Sequence, residues 1–153
     1  MMENEKIRLM ELTMLEAAEF ERMAGVLGKK LQAVSKLDTA SLQNIVVEEL
    51  SVLKKIQLIE KDRASVLKSL SLQGTDISLS VNKRNSRALE KKLGQEDSEK
   101  FINLHSDLKK SFMKVQSLNG ICRALLRHSL SFIRHNIHIL TDGGNRRLVD
   151  RRA

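Results

Sequence analysis

The chain contains no proline and only seven glycines among its 153 residues. An all-β fold needs many turns, which are rich in Gly, Pro and Asn, so this composition argues against one. The four aromatic residues are all Phe, which leaves the core to Leu, Ile, Val, Met and Ala. Several of these are strong helix formers. The sequence therefore predicts an all-α fold built from long helices.

Apolar periodicity predicts two helices in the first half, over residues 3–36 and about 40–72. Asp38, Thr39 and Ser41 are good N-cap residues between them, so a clean break and a continuous helix both fit there. The residues predicted to form the apolar stripes are Ile7, Met10, Met14, Ala17, Leu27, Leu31 and Val34 in the first run, and Leu42, Ile45, Val46, Leu50, Leu53, Ile56, Ile59, Val66, Leu67 and Leu70 in the second.

The second half is predicted to begin with a loop over residues 74–86, followed by a short helix, "RALEKKLG", that Gly94 stops. A last and longest helix, capped by Asp97 or Ser98, runs to about Thr141. Three long helices and a short one, joined by short links, favour an elongated antiparallel helical bundle or coiled coil.

Two segments follow from these boundaries. Residues 1–141 form a single helical domain, and residues 142–153 form a basic, flexible C-terminal tail, since Gly143 and Gly144 favour a helix end. One cysteine, Cys122, excludes an internal disulfide and a cysteine-based zinc site. The sequence has neither the pattern of a secretory signal nor an apolar run of about 20 residues. We therefore expect a cytoplasmic protein.

The net charge of +8 is concentrated in the second half. Residues 118–153 hold seven basic residues, all Arg, against two acidic ones. A basic C-terminal half suits nucleic acid, acidic lipid or an acidic protein partner.

The segment "NGICRALLRHSLSFIRHNIHIL", residues 119–140, has more apolar residues than one buried stripe of about 100° requires. One explanation is that it forms a central helix wrapped by the other two. The other is that one face binds another protein chain, because contiguous exposed apolar surface usually marks a partner site. Interleaved Arg123, Arg127 and Arg134 would keep that face soluble and could pair with acidic residues of the partner.

The sequence offers little for catalysis. His135 and His138 lie three apart on one helix face, but no acidic or cysteine ligand is close and the HEXXH motif is absent. His128 adds nothing to a recognisable triad, and there is no glycine-rich phosphate loop. We therefore predict no enzymatic activity, no cofactor and no metal.

The stretch "LGKKLQAVSKLDTASLQNIVVEELSVLKKIQLIEKDRASVLKSL", residues 27–70, resembles the FlgN-type flagellar export chaperones. Asn119-Gly120 and the apolar helix after it are similar to that family's C-terminal half. The family often has Tyr-Gly near the end of its last helix, where this chain has "LTDGG", and many export chaperones are acidic. The residues that match the pattern in the first stretch are Asp38, Leu42, Leu53, Ile56, Ile59, Glu60 and Arg63.

The resemblance implies a chaperone that binds hook-associated proteins at the hook–filament junction, keeps them unassembled and delivers them to the flagellar type III export apparatus. It implies that amphipathic terminal helices of the cargo bind the last helix. Leu125 and Phe132 have a competing interpretation as core. The predicted contact residues are Leu125, Leu126, Phe132, Ile133, Ile137 and Leu140, with Arg127 and Arg134 at the rim and Arg123, Leu148 and Val149 as weaker candidates.

Two other functions remain open from the sequence. The basic charge favours a helical nucleic-acid-binding protein, although no Trp or Tyr is present for base stacking. A structural coiled-coil protein of the export apparatus is the second alternative. A rod should keep its heptad seam regular, whereas here the row that begins Phe101, Leu108, Val115 becomes small or polar after residue 118.

Overall fold

In a computed structural model, the described residues of the chain form four α-helices. It describes the backbone of residues 2–70 and 83–152, and the side chains of residues 3–70, 87 and 89–138. No strand occurs within these ranges, and the predicted all-α class is confirmed. The helices are α1, Met2–Ser35; α2, Thr39–Ser69; α3, Lys83–Leu93; and α4, Gln95–Arg152.

The break between α1 and α2 is clean, and Asp38 is the N-cap of α2. Its carboxylate accepts hydrogen bonds from the Ser41 backbone N–H at 3.1 Å and from Ser41 Oγ at 2.6 Å. These bonds lower the pKa of Asp38, with the side-chain bond contributing most. The sequence prediction of a cap here is therefore confirmed.

Replacing Asp38 with alanine should lower the free energy of unfolding by about 1 kcal/mol, because α2 loses the acceptor for the Ser41 N–H, one of the free N–H groups of its first turn. Denaturant unfolding followed by circular dichroism measures the change. Asp38→Asn is the matched control, since asparagine caps about as well as aspartate. Equal stability of the alanine and asparagine variants would contradict the prediction.

The boundary between α3 and α4 differs from the prediction. Gly94 ends α3 as expected, with φ +86°. However, α4 begins at Gln95, so the predicted caps Asp97 and Ser98 lie inside it. The Ser98 N–H donates to the Gly94 carbonyl at 3.0 Å, which makes Gly94 the start of α4 as well. A glycine in the left-handed conformation reverses the chain without a longer linker.

Two further boundaries also change. Residues 83–86, predicted as loop, belong to α3, and the rest of that loop, 74–82, lies outside the described residues. The predicted helix end near Thr141 is wrong, because α4 continues to Arg152. Two glycines in a helix weaken it by about 1 kcal/mol each without breaking it. The flexibility of residues 142–153 stays a prediction.

Helix α1 packs against both α2 and α4, and α3 packs against α4. The α1–α2 pair is antiparallel, since Lys30 Nζ lies 2.9 Å from Glu49 Oε2 near the turn. Further from the turn, Arg63 Nη1 lies 3.3 Å from Glu16 Oε2. The interpretation of α4 as the central helix is therefore wrong, because α1 occupies that place.

Helix α4 runs in the same direction as α1. The rings of Phe20 and Phe112 meet edge to face with centroids 5.6 Å apart. Closer to the C-terminal end of both helices, Cys122 Sγ donates to the Leu27 carbonyl at 3.6 Å. Contacts thus advance together along both helices. The all-α class is confirmed, whereas the predicted arrangement as an elongated antiparallel bundle or coiled coil stays a prediction.

Two apolar clusters hold the helices together. The larger joins α1, α2 and α4, and the smaller lies at the N-terminal ends of α1 and α4, where α3 covers it. The larger cluster comprises Phe20, Met23, Val26, Leu27, Ala33, Ile45, Val52, Ile56, Leu108 and Cys122, and the smaller comprises Leu9, Leu70, Leu89, Leu93 and Phe101.

The buried seam of α2 agrees with the predicted stripe in part, since the predicted residues Ile45 and Ile56 are buried. Its buried members are Ile45, Val52, Ile56 and Arg63, which follow a seven-residue repeat. The predicted members Val46, Leu50 and Leu53 are exposed, as are Ile7 and Met14 of α1. Polar Glu49 and Arg63 occupy seam positions because each pairs with a charged residue of α1.

Candidate partner-binding surface

Helix α4 extends well past the end of α1. At about 1.5 Å per residue, its 58 residues span roughly 87 Å, against roughly 51 Å for the 34 residues of α1. Every side chain of residues 131–138, which we call the overhang, is exposed. Phe132, Ile133 and Ile137 in the overhang are therefore largely exposed to solvent.

The predicted contact residues differ in exposure. Phe132 is 59% exposed and Ile137 is 57% exposed, and Ile133 is exposed as well. Leu125 and Leu126 are partly buried, whereas Arg127 and Arg134 are exposed. The side chains of Leu140, Leu148 and Val149 lie outside the described residues. Their binding role, like that of the whole set, stays a prediction.

At about 100° per residue, the apolar side chains of this part of α4 divide into two strips. Leu126, Leu130, Ile133 and Ile137 form one, which we call the groove strip. Ile121, Leu125 and Phe132 form the second strip, on the other flank of the helix. Sequence reasoning placed Phe132 and Ile133 in one site, but a single straight helix cannot cover both strips fully.

The groove strip faces the turn between α1 and α2. Together they enclose a groove of about 230 Å³, which we call the corner groove. Asp38 is its one charged lining residue, and the other linings are apolar or small. The lining residues are Ala33, Val34, Leu37, Asp38, Thr39 and Leu42 from the turn region, and Leu126, Ser129, Leu130 and Ile133 from α4.

Leu37 has an unfavourable backbone conformation at the edge of this groove. It is the one described non-glycine residue with positive φ, at 54°. Its N–H donates to the Val34 carbonyl at 3.2 Å, and the Asp38 N–H donates to the Ala33 carbonyl at 2.9 Å. These two bonds form a Schellman motif, whose left-handed position is usually glycine. Leucine there costs about 1–2 kcal/mol, and its side chain is still 63% exposed.

Sequence reasoning missed Leu37 as a site residue and treated Val34 and Leu42 as ordinary stripe members. The available signal was a large apolar residue, Leu37, directly before the N-cap Asp38. Helix ends of this kind favour glycine or asparagine, so leucine at such a position is unusual.

Basic residues flank the groove strip. Arg123, Arg127 and Arg134 are exposed and project from the adjacent flank of α4. Between Asp107 and Asp142 the sequence has no acidic residue but has six Lys or Arg. This part of α4 therefore carries a net positive charge.

A buried polar cluster lies elsewhere, in the middle of the bundle. Arg63 is 6% exposed and its partner Glu16 is 4% exposed. Burial raises the pKa of Glu16 to about 7, and the positive charge of Arg63 offsets only part of that shift. Burial likewise lowers the pKa of Arg63. A small cavity of about 50 Å³ beside the pair is lined by Glu60 and His105.

This cluster affects the stability of the bundle, and its residues do not form an arrangement that suggests a catalytic reaction. Arg63, matched to the family pattern beside Glu60, forms its ion pair with Glu16 of α1. In the part of the chain that is described, no three His, Cys, Asp or Glu side chains gather as metal ligands. Among the same residues, no helix combines the length and apolar character needed to cross a bilayer.

Comparison with known proteins identifies the chain at the level of its family. The family profile described as "FlgN protein" matches residues 2–149. Searches of curated proteins and of solved structures gave no significant match. The profile covers nearly the whole chain, including all four helices and the corner groove. The chain therefore belongs to the FlgN family.

Proposed function

We propose that this protein is a flagellar type III export chaperone that binds hook-associated proteins through the C-terminal part of α4. It keeps them unassembled and delivers them to the export apparatus. The FlgN family is a family of flagellar export chaperones and not of enzymes, which supports this role. We place the activity in the cytoplasm and expect no cofactor or small-molecule substrate.

The observation that carries the proposal is the exposed apolar surface of the overhang. Phe132, Ile133 and Ile137 all face solvent. Burying such a side chain contributes about 1.5–3 kcal/mol, so a client chain that covers all three gains substantial binding energy. Monomeric proteins rarely leave contiguous apolar surface exposed unless it binds something.

An amphipathic cargo helix suits this surface. Its apolar face would lie along α4, with anchor side chains at spacings of three and four residues. The helix would bury the groove strip, and its polar face would stay in water. Such binding would also block the apolar face with which the cargo assembles, which accounts for a chaperone role.

The experiment is capture of hook-associated proteins by the tagged chain and by a variant that combines Ile133→Asp and Ile137→Asp. Placing two charges in the interface should weaken capture by at least about 30-fold, the scale of one strong hot spot. Both side chains are exposed, so helical content and melting temperature should stay close to the parent values.

The matched control combines Val47→Asp and Leu58→Asp on α2, where both side chains are also exposed. This variant should capture cargo as the parent does. Undiminished capture by the Ile133 and Ile137 variant would contradict the proposal.

A nucleic-acid-binding role is the alternative that one observation favours, namely the stretch without acidic residues between Asp107 and Asp142. It predicts recovery of nucleic acid with the tagged chain and a steep loss on raising the salt concentration. The chaperone predicts recovery of hook-associated proteins with a weaker salt dependence. A structural coiled-coil role predicts neither.

A further inference from the structure

We propose that the corner groove binds an acidic amphipathic helix of the client protein and that Leu37 forms one wall of this binding site. The inference rests on the proposed function, and it names the chemistry of the partner and extends the site to the turn between α1 and α2. The partner is thereby defined by an apolar stripe bordered by Asp and Glu.

The first argument is the continuity of the apolar surface. The groove strip runs from Leu126 to Ile137, a length of roughly 16 Å along α4. Its first three members line the corner groove, and its last lies on the overhang. A partner helix laid along this strip would place one anchor side chain in the groove and the next beyond the end of α1.

The second argument is the conformation of Leu37. Glycine or asparagine at position 37 would remove the backbone strain, and neither residue would expose an apolar side chain. Burial of the Leu37 side chain does little to offset that cost, because the side chain is 63% exposed. An apolar side chain of the partner that packs between Leu37 and Leu130 would bury both residues. The free energy gained by this burial would offset the backbone strain of Leu37 in the bound state. Strained residues of this kind concentrate at binding sites.

The third argument is charge. Arg123, Arg127 and Arg134 line one side of the groove strip, and the sequence has no acidic residue between Asp107 and Asp142. Asp38 does line the groove, but its carboxylate is engaged by Ser41 as the cap of α2. Carboxylates along the flank of a bound helix would therefore meet positive charge, whereas lysines there would be repelled.

The probes are two synthetic helical peptides that share one leucine stripe and differ only in carrying Glu or Lys beside it. Fluorescence anisotropy with the full chain measures the binding of each. The Glu peptide should bind at least about tenfold more tightly, and the ratio should shrink as salt screens the arginines. Equal binding of the two peptides, or no binding of either, would overturn the inference.

The deciding variant is Leu37→Asn, which removes the apolar wall and suits a left-handed backbone. Affinity for the Glu peptide should fall by about tenfold, the effect of losing one apolar anchor contact. The melting temperature should rise by about 2–4 °C as the strain is relieved. Leu37→Gly should behave alike, and Leu58→Asn on the exposed face of α2 should leave affinity unchanged. Parent-like affinity in both Leu37 variants would refute the role of the groove.

Capture of hook-associated proteins separates the two proposals. If Leu37→Asn captures cargo at full strength while the Ile133 and Ile137 variant does not, the groove inference fails and the chaperone function stands. If the Glu peptide binds selectively but no hook-associated protein is captured, the chaperone function fails and the groove inference stands. Selective binding of acidic lipid vesicles in place of the Glu peptide would overturn the choice of a protein helix.

Discussion

Replacing Arg63 with methionine should lower the free energy of unfolding by about 3–5 kcal/mol near pH 8. The substitution leaves Glu16 buried among α1, α2 and α4 without its partner, so its carboxyl group must either stay charged in an apolar setting or take up a proton well above its ordinary pKa, and removing one partner of a buried pair costs this much. Arg63 Nη1 donates to Glu16 Oε2 at 3.3 Å, and both side chains are almost fully buried. Chemical denaturation followed by circular dichroism measures the loss.

The loss should shrink at lower pH. Arg63 holds down the pKa of Glu16, so its removal lets that pKa rise further and the carboxyl group takes up a proton more readily. The double variant Glu16→Leu with Arg63→Met should recover most of the stability, because an apolar pair of similar volume is often as stable as a buried ion pair. A double variant no more stable than Arg63→Met alone would contradict this account.

Two Arg63 donors, Nε and Nη2, are buried without a hydrogen-bond partner. Desolvation of these groups offsets much of the ion-pair attraction, in agreement with the lowered pKa of Arg63. The pair is therefore costly to break and contributes little net stability while intact. Its main consequence is to hold α1 and α2 in one register, because a shifted register would separate the two charges.

Raising the pH from about 4.5 to about 7 should destabilise the fold by an amount that approaches 3 kcal/mol from Glu16 alone. The folded-state pKa of Glu16, about 7, lies above its ordinary value of 4.5. The folded state therefore holds this proton more tightly than the unfolded state. The stabilisation is complete below pH 4.5 and is lost as the pH rises through 7. Unfolding midpoints measured across this range test the slope.

Glu16→Gln is the control, since glutamine resembles the protonated carboxyl group and does not titrate. The variant should lose most of the slope in this window, and the difference from the parent isolates the contribution of Glu16. Asp38 and Glu21 have lowered pKa values, and they act in the opposite sense, losing stability only on further acidification. An unchanged slope in Glu16→Gln would disprove the assignment.

Much of the fold follows from local sequence signals. The absence of proline and the apolar repeats predicted four helices, and Asp38 and Gly94 marked two of the breaks. The end of α4 was misplaced because Gly143 and Gly144 resemble a stop signal, although a helix tolerates them at a modest cost. The start of α4 was placed too late, at Asp97 or Ser98, because both residues are also acceptable inside the first turn of a helix.

The candidate site was only partly accessible from the sequence. The surplus of apolar residues after Asn119 indicated an unusual surface, and Phe132, Ile133 and Ile137 are indeed exposed. The wall contributed by Leu37 is 89 residues before Leu126 in the chain, so no local pattern links them. The two apolar strips of α4 can also be told apart by what they face only when the positions of the neighbouring helices are known.

The amino-acid pattern alone predicts the helical class, the main boundaries between helices, the family and the excess of apolar residues in α4, because each depends on neighbours within a few turns. Contacts between distant helices place α1 at the centre, bury one stripe of α2 and form the corner groove. On α2, Val46, Leu50 and Leu53 continue the apolar pattern but are exposed, whereas Arg63 is buried and pairs with Glu16 of α1. That choice depends on groups far apart in sequence, so helical periodicity alone could not reveal it.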